Sequence, residues 1–116
     1  MKRKIRVFVC YWHDSCRHSL LNIFHKYEKA IEVVGSCPEY PDCVEWLENN
    51  QADQVVIGFP SYVKDTDGTL NLLRSYFPEV TFVEFSAFEV DFLEKFHNSI
   101  KRKESVVNTN YDFSLN

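Results

Sequence analysis

The sequence predicts a doubly wound α/β domain of three layers, in which helices cover both faces of a parallel five-stranded sheet. Short runs rich in β-branched and aromatic residues alternate along the chain with longer segments of helical periodicity. The run at residues 54–59 is almost continuously apolar, which is typical of a strand that is covered on both faces. Strands that alternate with helices form parallel sheets through right-handed crossovers. The length of 116 residues predicts one domain.

Five apolar segments are predicted as strands. The first has the sequence IRVFVC, and Gly35 ends the second. The predicted strands are residues 5–10, 31–34, 54–59, 80–85 and 105–107.

Four segments are predicted as helices. In the first, Leu20, Phe24 and Tyr27 are spaced to form one apolar face, and Asp14 or Ser15 is the expected N-cap. Pro41 suits the first turn of the second helix. The predicted helices are residues 15–29, 41–49, 69–76 and 90–102, with a loop at 65–68. We expect the folded domain at residues 1–108 and a tail at 109–116.

The charge, the lengths of the apolar runs and the cysteine and glycine content exclude several classes of function. The net charge is −4 and the pI is near 5.5, so direct nucleic-acid binding is not expected. No apolar run approaches the length of a membrane span, and no signal peptide is evident, so we expect a cytoplasmic protein. The four cysteines form no CxxC pair, and reduced thiols are expected. The three glycines are not clustered, so no phosphate-binding loop is predicted, and we expect neither an enzyme nor a cofactor.

Several segments resemble a known family. These are IEVVG at residues 31–35, ADQVVI at 52–57, VTFVEFSA at 80–87 and SVVN at 105–108. With the helix from about Pro41, they make residues 5–108 similar to the response-regulator receiver domain, the CheY-like fold. The nearest resemblance is to receivers that precede helix-turn-helix DNA-binding domains. It implies the flavodoxin-like strand order 2-1-3-4-5 and a role in signalling.

The positions that would carry receiver chemistry differ from the family pattern. Tyr11 and Trp12 stand where two acidic residues help to hold Mg²⁺. Gly58 stands in place of the phosphoryl-accepting Asp, and Asn108 stands in place of the Lys that pairs with the phosphoryl group. Ser86 keeps the switch hydroxyl, for which we expect a hydrogen bond to local backbone. Phosphoryl transfer needs a carboxylate and a cation, so the resemblance implies a degenerate pseudo-receiver. Carboxylates that would replace the missing Asp in a shifted register are Asp14, Asp65 and Asp67.

The sequence also ends before the fifth helix that the family pattern has. We therefore expect one flank of the fourth helix to be uncovered. An open apolar flank predicts an interface. The candidate interface residues are Phe88, Phe92, Val106, Tyr111 and Phe113. Alternatively, the tail residues Tyr111, Phe113 and Leu115 fold back and seal this surface. We therefore expect a stand-alone pseudo-receiver that binds a regulator, a kinase, the transcription machinery or a second copy of itself, without phosphorylation.

Two further features lead to alternatives. Cys10, His13, Cys16, Cys37 and Cys43 offer ligands for a metal-based or thiol-based sensor, and Cys37 and Cys43 could pair in a reversible disulfide. Glu84 lies in a strand that we expect to be covered, where an unpaired carboxylate is costly. Either its face is open, or Lys101 or Lys103 reaches it.

Overall fold

Four parallel strands form the sheet in the order β2-β1-β3-β4. A computed structural model describes residues 3–91, 93 and 94 of the chain. The strands are β1 (Ile5–Tyr11), β2 (Ile31–Cys37), β3 (Gln54–Gly58) and β4 (Thr81–Glu84). The predicted strand at 105–107 and the tail at 109–116 lie outside the described residues. The α/β class, the parallel sheet and the order of its first four strands are confirmed, and they are compatible with a flavodoxin-like fold.

The central strands β1 and β3 are the most deeply buried. β1 alternates between the two faces of the sheet: Val7, Val9 and Tyr11 lie on one face, and Phe8 and Cys10 lie on the other. β3 is buried from its second residue to its last, as its apolar run predicts. Two cores therefore form, one on each face, and together they make the three layers.

Three helices are described along their whole length. They are α1 (Asp14–His25), α2 (Tyr40–Asn49) and α3 (Thr66–Tyr76), and a fourth, α4, is helical at residues 87–91, 93 and 94. α1 packs on the face of Val7 and Val9, and α2 and α3 pack on the face of Phe8. None of the helices described here is long and apolar enough to cross a membrane.

Several predicted helix boundaries were wrong, because of their caps. His13 caps α1, with its Nδ1 atom accepting a hydrogen bond from the Cys16 backbone at 3.4 Å, so neither Asp14 nor Ser15 is the N-cap. α3 begins three residues before the predicted start, because the Asp65 carboxylate accepts a hydrogen bond from the Gly68 backbone at 2.8 Å. The predicted loop at 65–68 is therefore mostly the first turn of α3.

α4 begins on the same face of the sheet as α1. Val90 is buried beside Leu20 of α1, and the Ser19 hydroxyl donates a hydrogen bond to Glu94 at 2.5 Å. The described part of the chain contains a four-stranded sheet, and the fifth strand of the predicted order falls at residues 105–107, outside the described residues.

Glu84 is the last residue of β4, and its side chain is exposed, whereas Phe82 two residues earlier is buried. The carboxylate therefore lies at the exposed end of a strand that is covered at Phe82. Lys101 and Lys103, the alternative partners of Glu84, lie outside the described residues.

Candidate functional site

At the carboxyl ends of the strands, Tyr11 lies against Gly58. The two residues are register partners in the β1–β3 pair. Tyr11 is only 1% exposed. A Cβ atom added at Gly58 would lie 2.3 Å from Cε2 of the Tyr11 ring, closer than any real contact. Glycine is therefore required at this position because the ring occupies the space that a side chain would need.

The Tyr11 side chain also joins β1 to the end of β4. Its hydroxyl donates a hydrogen bond to the Phe85 carbonyl oxygen at 2.9 Å. Burial raises the pKa of Tyr11 to about 12, with smaller contributions from the charges of Cys16, Glu89 and Glu84. The phenol is therefore neutral near pH 7 and remains a donor. The ring closes the position that the receiver resemblance assigns to the phosphoryl-accepting Asp.

The structure describes most of the other positions that the receiver resemblance singles out. Asp67 is exposed in the first turn of α3. Trp12 is partly exposed and stacks edge-to-face with His13, with ring centroids 5.1 Å apart. Asp14 is paired with Arg17 at 2.7 Å, and Asp65 is used as the α3 cap. Asn108 lies outside the described residues.

Ser86 makes the local backbone contact that we expected. Its hydroxyl accepts a hydrogen bond from the Glu89 backbone at 3.1 Å, and the Glu89 carboxylate accepts one from the Ser86 backbone at 3.0 Å. This reciprocal pair is a capping box. It explains why α4 begins at residue 87 and not at the predicted residue 90.

A substitution series tests this role of Ser86. We expect Ser86→Ala to lower the free energy of unfolding by about 1 kcal/mol, because the first turn of α4 loses its cap. Ser86→Asp should be close to wild type, since aspartate is an equally good N-cap. Urea unfolding of the three proteins measures this. Equal losses for both variants would contradict the cap assignment.

The five residues of the alternative sensor site do not all come together. Cys10, Cys37 and Cys43 lie on the face covered by α2, whereas Cys16 packs on the opposite face beneath α1. β1 directs alternate side chains to opposite faces, so a thiol on α1 cannot reach Cys10. Within the described residues, no group of three or more His, Cys, Asp and Glu side chains is arranged to hold a metal ion. All four cysteines are free thiols, and Cys37 and Cys43 are not bonded to each other.

Exposed aromatic side chains lie at the same end of the sheet. Phe88 in α4 is 78% exposed, Tyr62 after β3 is 67% exposed, and Trp12 after β1 is 40% exposed. Tyr62 also donates a hydrogen bond to the Glu39 carboxylate at 3.3 Å. Of the predicted interface residues, the structure thus describes the Phe88 side chain. Those outside the described part are Phe92, Val106, Tyr111 and Phe113. Sequence reasoning did not single out Tyr62, although its place in the loop after a central strand was a usable signal.

This end of the molecule is acidic. The segments that follow the four strands contain six carboxylates and one lysine. These segments are residues 12–15, 38–42, 59–67 and 85–89. The carboxylates are Asp14, Glu39, Asp42, Asp65, Asp67 and Glu89. Exposed aromatic rings among negative charges suit a partner that presents apolar and basic side chains.

The opposite end of the sheet carries a cleft that sequence reasoning missed. It has a volume of about 970 Å³ and is lined by Arg3, Arg6, Asp53 and Tyr76, among others. Arg3 makes two hydrogen bonds to the Asp53 carboxylate, at 2.7 and 2.9 Å. The pKa of Asp53 is lowered by the side chain of Arg3 and by the backbone of Arg6. Arg3 and Asp53 thus satisfy each other, whereas the buried Nε atom of Arg6 has no hydrogen-bond partner within the described residues.

Comparison with family models, with curated proteins and with solved structures gave no match to this chain.

Proposed function

We propose that this chain is a pseudo-receiver, a regulator or adaptor in signal transduction or transcription control that binds another protein without being phosphorylated. The observation that most supports the proposal is the Tyr11 ring, which lies over Gly58 and bonds to the Phe85 carbonyl oxygen. The ring of Tyr11 occupies the space that a side chain at position 58 would need, and Tyr11 and Trp12 stand where the receiver resemblance expects acidic residues. The Tyr11 ring and its hydrogen bond thus join the ends of β1, β3 and β4 without a phosphoryl group.

The exposed aromatic residues support a protein as the ligand. Aromatic side chains are enriched among the residues that contribute most to protein interfaces. Burying Phe88 alone would contribute roughly 1.5–3 kcal/mol before the costs of association. The carboxylates around Phe88, Tyr62 and Trp12 favour a basic partner surface and disfavour nucleic acid.

Phe88 and Tyr76 offer a matched pair of variants to test the proposal. Both are exposed aromatic residues, and they lie at opposite ends of the sheet. The immobilised wild-type chain should retain a protein from extracts of its own cells. Phe88→Glu should lose most of that binding and Tyr76→Glu should keep it. Treating the wild type with a small acyl phosphate and Mg²⁺ should change neither the binding nor the intact mass.

Two results would contradict the proposal. One is the addition of a phosphoryl group to the wild-type chain, and the other is equal retention by the Phe88 and Tyr76 variants. Light scattering of the same variants over a range of concentrations shows whether the partner is a second copy of this chain. In that case Phe88→Glu would dissociate the assembly.

A further inference from the structure

Three thiols meet on one face of the sheet. Cys10 in β1 and Cys37 in β2 are register partners in a parallel pair, and both side chains belong to the core under α2. Cys43, which lies in α2, is buried in the same core cluster as Cys10, and Cys37 packs against that cluster. Neighbouring strands are about 4.7–4.9 Å apart, which lies within the Cα separation of about 4.4–6.8 Å that a disulfide spans.

The three thiols differ in their access to solvent. Cys10 and Cys43 are buried, whereas Cys37 is partly exposed at the end of β2. As a thiol, Cys37 donates a hydrogen bond to the Glu39 carbonyl oxygen at 3.2 Å. Of these three thiols, an oxidant from solvent therefore meets Cys37 first, and Cys10 is its register partner on the neighbouring strand.

The pKa values of Cys37 and Cys10 are shifted in opposite directions. The hydrogen bond from Cys10 lowers the pKa of Cys37, aided by the Glu39 backbone and Arg17, while burial and Asp42 oppose this shift. The pKa of Cys10 is raised by its contacts with Cys37 and Cys43 and by burial. Cys37 is therefore the thiol of this pair that ionises more readily, and thiolates are the reactive species.

We propose that Cys37 is an oxidant-sensitive residue and that Cys10 resolves its oxidised form as a Cys10–Cys37 disulfide. With hydrogen peroxide as the oxidant, the Cys37 thiolate attacks one oxygen, the O–O bond breaks, and a sulfenic acid forms as the other oxygen leaves as water after taking up a proton. Cys10 sulfur then attacks the Cys37 sulfur and displaces its hydroxyl, which leaves as water with the Cys10 proton. Peroxide is reduced by two electrons, and the two thiols are oxidised by two. This inference is independent of the proposed function.

Peroxide treatment of the folded full-length chain tests the proposal. At equimolar peroxide, the wild type should lose two of its four free thiols and the mass of two hydrogen atoms, with the disulfide mapped by peptide analysis to Cys10 and Cys37. We expect Cys37 to react about tenfold faster than Cys16, whose pKa is raised by burial, Asp91 and Glu94. A thiol reductant should restore the original protein.

Three variants separate the roles. Cys16→Ser is the matched control, since Cys16 lies on the other face of the sheet, and it should form the disulfide normally. Cys37→Ser should form no internal disulfide. Cys10→Ala should accumulate a sulfenic acid on Cys37, which a 1,3-dicarbonyl reagent traps.

If the buried Cys10→Ala variant fails to fold, the wild-type disulfide map decides alone. A disulfide between any other pair, oxidation of Cys16 before Cys37, or no internal disulfide in the wild type would overturn the proposal.

Discussion

Replacing Tyr11 by alanine is expected to lower the free energy of unfolding by about 3–5 kcal/mol, the usual cost of removing a large aromatic side chain from a core. The ring is buried and packs with Leu20, Val56 and Val90. The substitution leaves a cavity where β1, β3 and α4 meet, and the surrounding backbone can fill it only in part. Urea unfolding at pH 7 measures the loss.

Two controls divide this loss into its parts. Tyr11→Phe keeps the ring and removes the hydrogen bond to the Phe85 carbonyl oxygen, so about 1 kcal/mol should be lost. Tyr76→Ala removes an exposed tyrosine and should change stability by no more than about 0.5 kcal/mol. A Tyr11→Ala loss as small as that of Tyr76→Ala would show that the ring does not hold the ends of the strands together.

Gly58→Ala is expected to lower the free energy of unfolding by about 2–3 kcal/mol, because a single methyl group there overlaps the Tyr11 ring. Neither the ring nor the central strand can move away, since both are enclosed by the core. The same substitution in a Tyr11→Ala background should cost much less, because the ring is absent. A double-mutant cycle on urea unfolding should give a coupling energy of at least about 1.5 kcal/mol.

Gly35→Ala supplies the matched control for this cycle. A Cβ atom at Gly35 would meet the ring of Phe8, at 2.7 Å, and not that of Tyr11. Its cost should therefore be additive with Tyr11→Ala to within about 0.5 kcal/mol. If Gly58→Ala is also additive with Tyr11→Ala, the ring is not what requires glycine at position 58.

The order of strands and helices was predictable because it depends on local periodicity. The apolar run of β3 indicated a strand covered on both faces, and the structure buries it on both. The boundaries were less accurate, since they depend on single hydrogen bonds such as those of the His13 and Asp65 caps. The packing of Val90 beside Leu20 of α1 likewise depends on tertiary contacts that the periodicity of the sequence does not indicate.

The contacts of the candidate site could not be predicted from the sequence. The sequence places Tyr11 and Gly58 at the ends of their strands, yet it contains no sign that the ring lies over the glycine. The thiols show the converse. The alternation of side chains along β1 places Cys10 on one face of the sheet. Its proximity to Cys37 depends on the β1–β2 register, and its proximity to Cys43 depends on the packing of α2.

The outer strands of the described sheet bear on the behaviour of the protein at high concentration. A long, flat, apolar outer strand invites pairing with another chain and leads to aggregation. β4 is only four residues long and exposes Thr81 and Glu84. β2 exposes Glu32, and its pairing with β1 shifts register between Val7 and Phe8, which disturbs the regular ladder. The outer strands β2 and β4 of the described sheet therefore both disfavour the addition of a strand from another chain. We expect this chain to associate with others through contacts between side chains.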